Sequence, residues 1–338
     1  MNFWQVAAGE SSRDYSLVFL KFGIMLVGSG APGSFSGRED YYKGHHDWRS
    51  QVVAFAETAK VGDIVILKKP HGRRWKIVAV GHIAGDYKYS ELFEDVDGWD
   101  LQHCRKVDWV CPKEAVYVGG LARGTFRRVY SQAPKDKAIQ VLGEGEEKQT
   151  DALPNPARRV SDEQLVEGLV DNGLRPADAE TVIRTIWRVR RLARWYHDHG
   201  QDISEHETRT FLIVPILQAL GWSEQKMKIE WRNTDIAFFS EVYKKGKELK
   251  EPCMILESKR IWEGLGYAER QAEGYARDFP GCSRLVVSDG ICYRLYRWEN
   301  NKWNWKAYVN LLKLKDRHPY HTEIGGASEV FVSLMPYY

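Results

Sequence analysis

The chain has 338 residues, a hydrophobic share of 43%, a charged share of 28% and a formal net charge of +3. This length predicts two domains, and the composition excludes disordered and collagen-like classes. So small a net charge does not by itself indicate nucleic-acid binding. The sequence has neither the roughly 20 consecutive apolar residues of a membrane helix nor a signal peptide, so we expect a cytoplasmic protein without membrane contact.

Residues 1–130 are predicted to be mainly β-structure. Apolar and β-branched runs predict strands at Ile64–Leu67 and Lys76–Ile83, and a helix is expected over Trp48–Thr58. This region holds 18 basic residues against 15 acidic ones, which accounts for the net charge of the whole chain. One basic run contains Lys68, Lys69, Arg73 and Arg74. Such a run indicates either contacts to a DNA backbone or an ordinary solvated loop.

Residues 131–160 combine prolines, glycines and charges without apolar periodicity, so they are expected to form a linker. The second domain, residues 161–338, is predicted to begin with helices. Ser161 and Gln164 have the spacing of a capping box, and Pro176–Asp198 has helical periodicity. One face of that long helix carries Arg184, Arg188, Arg191 and Arg194. This face is either solvated or in contact with a DNA backbone.

The rest of the chain alternates between helices and strands. A helix is expected over Ser204–Leu220. The elements predicted after it are strands at Lys226–Trp231, Asp235–Glu241 and Cys253–Lys259, a helix over Trp262–Asp278, and strands at Arg284–Ser288 and Cys292–Trp298. The Asp289-Gly290 pair predicts a hairpin between the last two strands. The predicted order is therefore α-β-β-β-α-β-β.

Acidic and basic residues are expected to meet where two of these strands end. Alternation along the strand places Glu257 and Lys259 on one face, with Ser258 opposite. Asp235 on a neighbouring strand would add a second carboxylate. Two adjacent carboxylates are costly alone but favourable around Mg²⁺, which prefers oxygen ligands. The pattern therefore indicates a metal site that activates water, with a lysine that stabilises negative charge.

The combination of Asp235 with Glu257-Ser258-Lys259 in this order of elements resembles the PD-(D/E)xK nuclease superfamily. Further features resemble type I restriction subunits: Glu207 on the preceding helix, Gln271 and Tyr275 as a Q-x-x-x-Y element, and the segment Pro215–Trp222. The resemblance implies six catalytic residues, namely Asp235, Glu257, Lys259, Glu207, Gln271 and Tyr275. It also implies that Asp235, Glu257 and Glu207 bind the metal.

Simpler interpretations of some of these residues remain open. Glu207 follows Ser204 by three positions, so it is also placed to complete a capping box. Gln271 and Tyr275 lie one helical turn apart and are compatible with a simple side-chain pair on a helix surface. For both sets, a structural role and a catalytic role are the two alternatives.

The first half of the chain resembles the EVE branch of the PUA-like fold, a relative of YTH domains. The resemblance is carried by four short motifs, Asn2–Val6, Trp48–Gln51, Val61–Val65 and Ala79–Ile83. It implies a small barrel with a pocket for a flipped, modified base. Flat aromatic rings stack on such a base, and the candidates are Trp4, Trp48 and Trp99, with core packing as the alternative. Ser29 and Asp97 are candidates for reading the base edge.

Together these patterns predict a two-domain chain of α+β or α/β class. Residues 1–130 are expected to form a PUA-like (EVE) β-barrel with helices, and residues 161–338 a PD-(D/E)xK αβββαβ core preceded by helices. The expected function is that of a modification-dependent DNA endonuclease. It would bind double-stranded DNA carrying a modified base, such as 5-methylcytosine or 5-hydroxymethylcytosine, and cleave it with Mg²⁺ or Mn²⁺.

Two further expectations concern cofactors and assembly. The sequence has no G-x-x-x-x-G-K-[ST] motif, so cleavage should not require ATP. One nuclease site per chain predicts a homodimer, at least on DNA. The alternatives are a non-catalytic nucleic-acid-binding module with an inert nuclease-like domain, and a protein that binds modified RNA.

Overall fold

The computed structural model describes residues 1–10, 13–72, 74–242, 249, 251–266, 274 and 278–337. The chain divides into two compact units, Met1–Asn155 and Pro156–Tyr338, called unit 1 and unit 2 below. Each unit has its own sheet and helices, so the expectation of a mixed α and β protein is confirmed. No helix in the described ranges has the length and apolar character needed to cross a membrane.

Unit 1 is built on one curled, half-barrel sheet. Its strands are β1 (Phe3–Ala7), β2 (Gly9–Glu10), β3 (Arg13–Asp14), β4 (Ile24–Val27), β5 (Ile64–His71), β6 (Arg74–Ile83), β7 (Lys88–Tyr89), β8 (His103–Cys111), β9 (Val116–Val118), β10 (Phe126–Arg128) and β11 (Glu146–Glu147). The sheet order is β10-β1-β5-β6-β8-β11; β4 and β7 also pair with β8, and β9 with β6. β2 and β3 form a separate hairpin. The two predicted strands are β5 and β6, which pair antiparallel.

The helices of unit 1 are short except for the last. They are α1 (Ser16–Phe22), α2 (Glu39–Tyr42), α3 (Arg49–Val53), which continues as a π-helical turn (Ala54–Thr58), and α4 (Gln132–Glu144); single 3-10 turns occur at Phe35–Gly37 and Glu91–Phe93. The predicted helix over Trp48–Thr58 corresponds to α3 and its π-helical extension.

The linker prediction for residues 131–160 is wrong over its first half, which contains α4 and β11, whereas residues 148–158 contain neither helix nor strand. Pro134, Ala138 and Val141 of α4 are buried against the unit 1 sheet, and β11 pairs with β8. Pro134 is tolerated because it lies in the first turn of the helix, where its missing amide has no partner to lose. The boundary between the units falls at Asn155 and Pro156.

Unit 2 begins with two helices, of which the first has a capping box. Its helices are α5 (Asp162–Asp171), α6 (Pro176–Asp198), α7 (Glu205–Thr208), which runs through a π-helical turn (Arg209–Ile213) into α8 (Val214–Ala219), a 3-10 turn (Glu224–Lys226) and α9 (Ala327–Leu334). The Ser161 hydroxyl accepts from the Gln164 amide, and the Gln164 side chain accepts from the Ser161 amide, so the predicted capping box is present.

The strands of unit 2 form one sheet in chain order. They are β12 (Met227–Trp231), β13 (Thr234–Phe238), β14 (Met254–Ser258), β15 (Arg284–Ser288), β16 (Cys292–Glu299) and β17 (Lys302–Asn310). β14 and β15 are parallel, and the other neighbours are antiparallel. The strand predictions are confirmed with ends that differ by at most three residues, whereas β17 and α9 were not predicted. The predicted helix over Trp262–Asp278 falls largely outside the described residues.

The predicted Asp-Gly hairpin joins β15 to β16. Gly290 has a φ of +82°, and a Cβ there would lie 2.8 Å from the Cβ of Leu212. Glycine is therefore required at this turn both by its backbone conformation and by the close approach of the helical segment. This contact packs the π-helical turn that contains Leu212 against the end of the sheet where the candidate site lies.

Candidate functional site

Two neighbouring strands bring the predicted acidic residues to one end of the unit 2 sheet. β13 and β14 are antiparallel, with Ile236 paired to Leu256. Asp235, near the start of β13, therefore lies beside Glu257, near the end of β14. Every residue of β14 is buried, and Glu257 is only 2% exposed. A carboxylate in such a position needs a positively charged partner or an ion.

Lys259 is the partner of Glu257. Its Nζ lies 3.1 Å from Glu257 Oε1, so the predicted common face of these side chains is present. The other carboxylate oxygen, Oε2, is buried and has no hydrogen-bond partner among the described residues. Burial raises the pKa of Glu257 to about 7, assisted by the charge of Asp235 and opposed by Lys259. Burial would lower the pKa of Lys259, but Glu257 and the other nearby carboxylates raise it overall.

Asp235 is held by a buried arginine that the sequence analysis did not select. Arg209, 4% exposed, donates from Nη2 to Asp235 Oδ1 at 2.6 Å. Ser258 donates to Asp235 Oδ2 from its backbone amide at 2.6 Å and from Oγ at 2.8 Å. Arg209 also lies 3.2 Å from Glu230 Oε1. Arg209 and Ser258 thereby hold the Asp235 carboxylate in position, and the guanidinium of Arg209 balances its negative charge.

The helical acid at this site is Glu205, not Glu207. Glu205 Oε2 lies 4.0 Å from Lys259 Nζ, its Oε1 lies 3.6 Å from Arg209, and Ser258 Oγ donates to that oxygen at 3.4 Å. Burial raises the pKa of Glu205. Glu207 is exposed and completes a capping box with Ser204, whose amide and hydroxyl both donate to Glu207 Oε2 at 2.8 Å. The capping box, which was the structural alternative for Glu207, is therefore present, and the role of Glu207 at the metal site stays a prediction.

This difference gives a test with two matched variants. Glu207→Ala is expected to lower the melting temperature slightly, because it removes one half of the capping box, and to leave catalysis unchanged. Glu205→Ala should reduce catalysis, because it removes a carboxylate beside Lys259. The measurement is the initial rate of DNA cleavage by both variants, together with their thermal unfolding. A larger loss of rate for Glu207→Ala than for Glu205→Ala would reverse this assignment.

The side chains at this site fit a hard cation in one respect. Across the described residues, no group of three or more histidine, cysteine, aspartate and glutamate side chains has the geometry of a metal centre. The buried, unpaired Glu257 Oε2 nevertheless lies beside a second carboxylate, which is a donor set suited to Mg²⁺ or Mn²⁺. Glu257 and Asp235 are the residues that would hold the ion. Gln271 and Tyr275, also predicted here, lie outside the described residues.

The pKa of Glu257 predicts a pH dependence of stability in the absence of divalent cations. Between its ordinary value of 4.5 and about 7, the folded chain retains a proton that the unfolded chain has lost. This contribution is complete below pH 4.5 and is lost as the pH rises through 7. The free energy of unfolding should therefore fall with pH relative to that of Glu257→Gln, by as much as about 3 kcal/mol. Urea unfolding of both proteins across this range measures it, and parallel pH profiles would contradict it.

The predicted base-binding residues of unit 1 separate into core and surface. Trp4 is 2% exposed, stacks on Phe126 and donates from Nε1 to Asp63 at 2.9 Å. It is a core residue, so its assignment to a base pocket is wrong. Trp99 is half-buried, with the Arg13 guanidinium 4.5 Å from its ring centroid. Asp97 is buried, in a left-handed backbone conformation.

Ser29 and Trp48 lie around an aromatic cluster that sequence reasoning missed. His103 is fully buried between the rings of Tyr42, Tyr87 and Tyr89. Its Nε2 lies 3.2 Å from the Ser29 carbonyl oxygen, and Trp48, 37% exposed, packs edge-on against Tyr42. Burial lowers the pKa of His103 to about 4, so its ring is neutral at physiological pH.

The hydrogen bonds of His103 fix its tautomer. A carbonyl oxygen only accepts, so Nε2 carries the proton and donates to Ser29, while Nδ1 accepts from the Tyr87 hydroxyl at 2.9 Å. The Tyr89 hydroxyl donates to the Gly30 carbonyl oxygen at 2.9 Å, and that of Tyr42 to Gly33 at 2.8 Å. The loop from Gly28 to Gly33 is therefore hydrogen-bonded to the aromatic cluster of His103, Tyr42 and Tyr89.

The basic run of unit 1 contributes less positive surface than expected. Lys68 is 2% exposed, and its Nζ lies 3.8 Å from the ring centroid of Trp75. Because Lys68 is buried and its Nζ donates to the Ala122 carbonyl oxygen, its assignment to a DNA backbone is wrong; burial also lowers the pKa of Lys68 to about 8. Lys69 is exposed but pairs with Asp14, whereas Arg74 is exposed at the start of β6. Arg73 lies outside the described residues.

Comparison with known families adds one finding. A family model described as a domain of unknown function, DUF8426, matches residues 4–128. The match lies within unit 1 and assigns no activity. No curated protein matches the chain.

Proposed function

We propose that this protein is a metal-dependent endonuclease that cleaves DNA containing a modified base. The proposal rests on one observation above all, the unpaired buried oxygen of Glu257 beside Asp235 and Lys259. A buried carboxylate oxygen without a hydrogen-bond partner is unfavourable unless a cation binds it, and this one lies at the end of a buried strand. The PD-(D/E)xK resemblance of these residues supports hydrolysis of a phosphodiester as the reaction.

Each side chain at the site has a distinct part in the proposed reaction. A bound Mg²⁺ would polarise the phosphate and lower the pKa of a water molecule. Glu257 and Asp235 would hold the ion through their carboxylate oxygens. Lys259 would orient the attacking water or stabilise the charge that develops on phosphate. Arg209 and Ser258 keep Asp235 in place.

Unit 1 is proposed to read the modified base. Its resemblance to EVE and PUA-like domains supports this role, as does the cluster of aromatic side chains around His103. Because His103 is neutral and its two nitrogens are already engaged, it would serve as a support for the pocket wall rather than as a base contact. The exposed Trp48 and the loop that contains Ser29 are the parts available for stacking and for reading a base edge.

The deciding experiment is digestion of matched plasmids containing cytosine, 5-methylcytosine, 5-hydroxymethylcytosine or glucosylated cytosine. We expect cleavage of at least one modified plasmid with Mg²⁺ or Mn²⁺, no requirement for ATP and no cleavage in EDTA. Double-strand breaks that increase steeply with protein concentration would support a dimer on DNA. If no plasmid is cut but modified DNA is bound, the protein is a non-catalytic reader; preference for modified RNA in competition would instead indicate an RNA-binding protein.

Trp48 offers a direct test of the reader. Trp48→Ala is expected to reduce the preference for modified over unmodified duplex by about tenfold, because stacking contributes about 1–3 kcal/mol per base. Trp298→Ala is the matched control, since Trp298 is 45% exposed on unit 2. Gel-shift titrations with both duplexes in EDTA measure the preference. An unchanged preference in Trp48→Ala would remove this residue from the pocket.

A further inference from the structure

The long helix α6 has an exposed face that nothing in unit 2 covers within the described ranges. Its buried face packs into the core through residues such as Val182, Ile186 and Val189. The opposite face is exposed and consists mainly of arginine and tryptophan side chains. They are Arg184, Trp187, Arg188, Arg191, Arg194 and Trp195.

The positive charge on this face is largely uncompensated. Arg184 lies 3.9 Å from Glu180 and donates to Thr181. Arg188, Arg191 and Arg194 form no ion pair with any described residue. Four arginines lie between positions 184 and 194 of this face with no acidic residue among them. Mutual repulsion of these guanidinium groups is unfavourable unless an anion binds.

Two large apolar side chains lie within this charged face. Trp187 and Trp195 are each 49% exposed, and both also contact neighbouring side chains. Trp187 donates from Nε1 to Asp162 at 2.7 Å, and Trp195 stacks on His199 at 4.7 Å. Guanidinium groups bind phosphate oxygens, and exposed aromatic rings beside them offer apolar surface to the sugars of a nucleic-acid backbone.

The helix ends next to the candidate active site. The rings of His197, near its carboxyl end, and Trp262 lie 6.3 Å apart. Trp262 follows Lys259 by three residues, and the intervening Ile261 amide donates to Thr208 Oγ1 at 3.2 Å, next to Arg209. The carboxyl end of the arginine-bearing helix therefore lies near Asp235 and Glu257, in the same compact unit.

We propose that the exposed face of α6 binds the sugar-phosphate backbone of duplex DNA and guides it to the Asp235–Glu257 site. At 1.5 Å per residue, the arginines span about 15 Å, which matches about four phosphates along one strand. This inference rests on the proposed function for the identity of the ligand as DNA. It adds a surface that makes DNA binding by unit 2 independent of the modified base.

The test compares two triple variants of the full chain. One is Arg188→Gln, Arg191→Gln and Arg194→Gln. The control is Arg158→Gln, Arg175→Gln and Lys302→Gln, which removes the same charge from exposed positions of unit 2 outside this face. Binding of a short unmodified duplex is followed by fluorescence anisotropy in EDTA at several salt concentrations. Circular dichroism checks that both variants remain folded.

We expect the α6 variant to bind about tenfold more weakly at low salt, with a salt slope smaller by about two to three. The control should change little. Equal loss in both variants, or none in the α6 variant, would overturn the inference. So would unchanged DNA binding combined with lost binding to phosphatidylserine vesicles, which would identify a membrane surface as the ligand.

This test is separable from that of the proposed function. Binding in EDTA to unmodified DNA needs neither cleavage nor the base pocket. If the natural chain cleaves modified plasmids and the α6 variant binds DNA normally, only the inference fails. If no plasmid is cleaved but the α6 variant loses DNA binding, the inference about the α6 face stands and the nuclease proposal fails.

Discussion

Glu257→Gln is expected to reduce the rate of cleavage of modified plasmids by at least about a hundredfold. The amide keeps the size of the side chain but removes the charge that would hold a cation at the unpaired Oε2. Asp235→Asn and Lys259→Ala should have effects of similar size, because these groups act on the same reacting atoms. Binding to modified duplex in EDTA should be retained in all three variants. The measurement is the initial rate of plasmid nicking at saturating Mg²⁺.

A matched acidic residue provides the control. Asp202, whose side chain is 85% exposed, lies 3.7 Å from Arg260 on the same unit. Asp202→Asn should cleave at the rate of the natural chain. Normal cleavage by Glu257→Gln would refute the site assignment, and loss of DNA binding in Glu257→Gln would point to a folding defect in its place.

The second large effect is expected from Arg209→Met. This substitution removes the guanidinium group that pairs with Asp235. Glu205 and Glu230 lose the same partner. Breaking a buried ion pair by removing one member costs about 3–5 kcal/mol. The free energy of unfolding, measured with urea on the full chain, should fall by that amount. Hydrogen exchange in β13 and β14 would assign the loss to unit 2.

Two further variants separate this explanation from simple loss of packing. Arg260→Met removes an exposed arginine and should cost less than about 1 kcal/mol. Adding Asp235→Asn to Arg209→Met should recover part of the stability, because the unpaired charge is then absent. A double variant that is no more stable than Arg209→Met would show that packing, not charge, dominates.

Local sequence patterns predicted β13, β14 and the shared face of Glu257 and Lys259. They could do so because alternation within a strand is a local property. The choice between Glu205 and Glu207 was harder, since both lie in the first turn of α7 and the helix phase is set by packing. The opposite charges of Glu205 and Arg209, four residues apart, were the available signal.

Contacts distant in sequence account for the wrong predictions in unit 1. Trp4 is buried because Phe126 packs on its ring from another strand. Lys68 ends a run of five consecutive buried residues in β5, and its ammonium group donates to the carbonyl oxygen of Ala122, 54 residues further on. Nothing in the spacing of the basic run predicts this distant contact.

The linker prediction failed because the apolar signal of α4 is sparse. Its buried positions, Pro134, Ala138 and Val141, have helical spacing but include only one strongly hydrophobic residue. The surrounding lysines and glycines gave the composition of a linker. Packing against a preformed sheet stabilises such a helix where its own sequence would not.

The position of β1 has a consequence for synthesis of the chain. β1 lies between β5 and β10. The Asn2 amide donates to Asp63, 61 residues further on, and Gln5 donates to Ala122, 117 residues further on. β1 is therefore synthesised long before its partner β10, and it is among the last strands of unit 1 to complete its pairing. Unit 1 should fold slowly, with Trp4 accessible to chaperones until β10 has emerged.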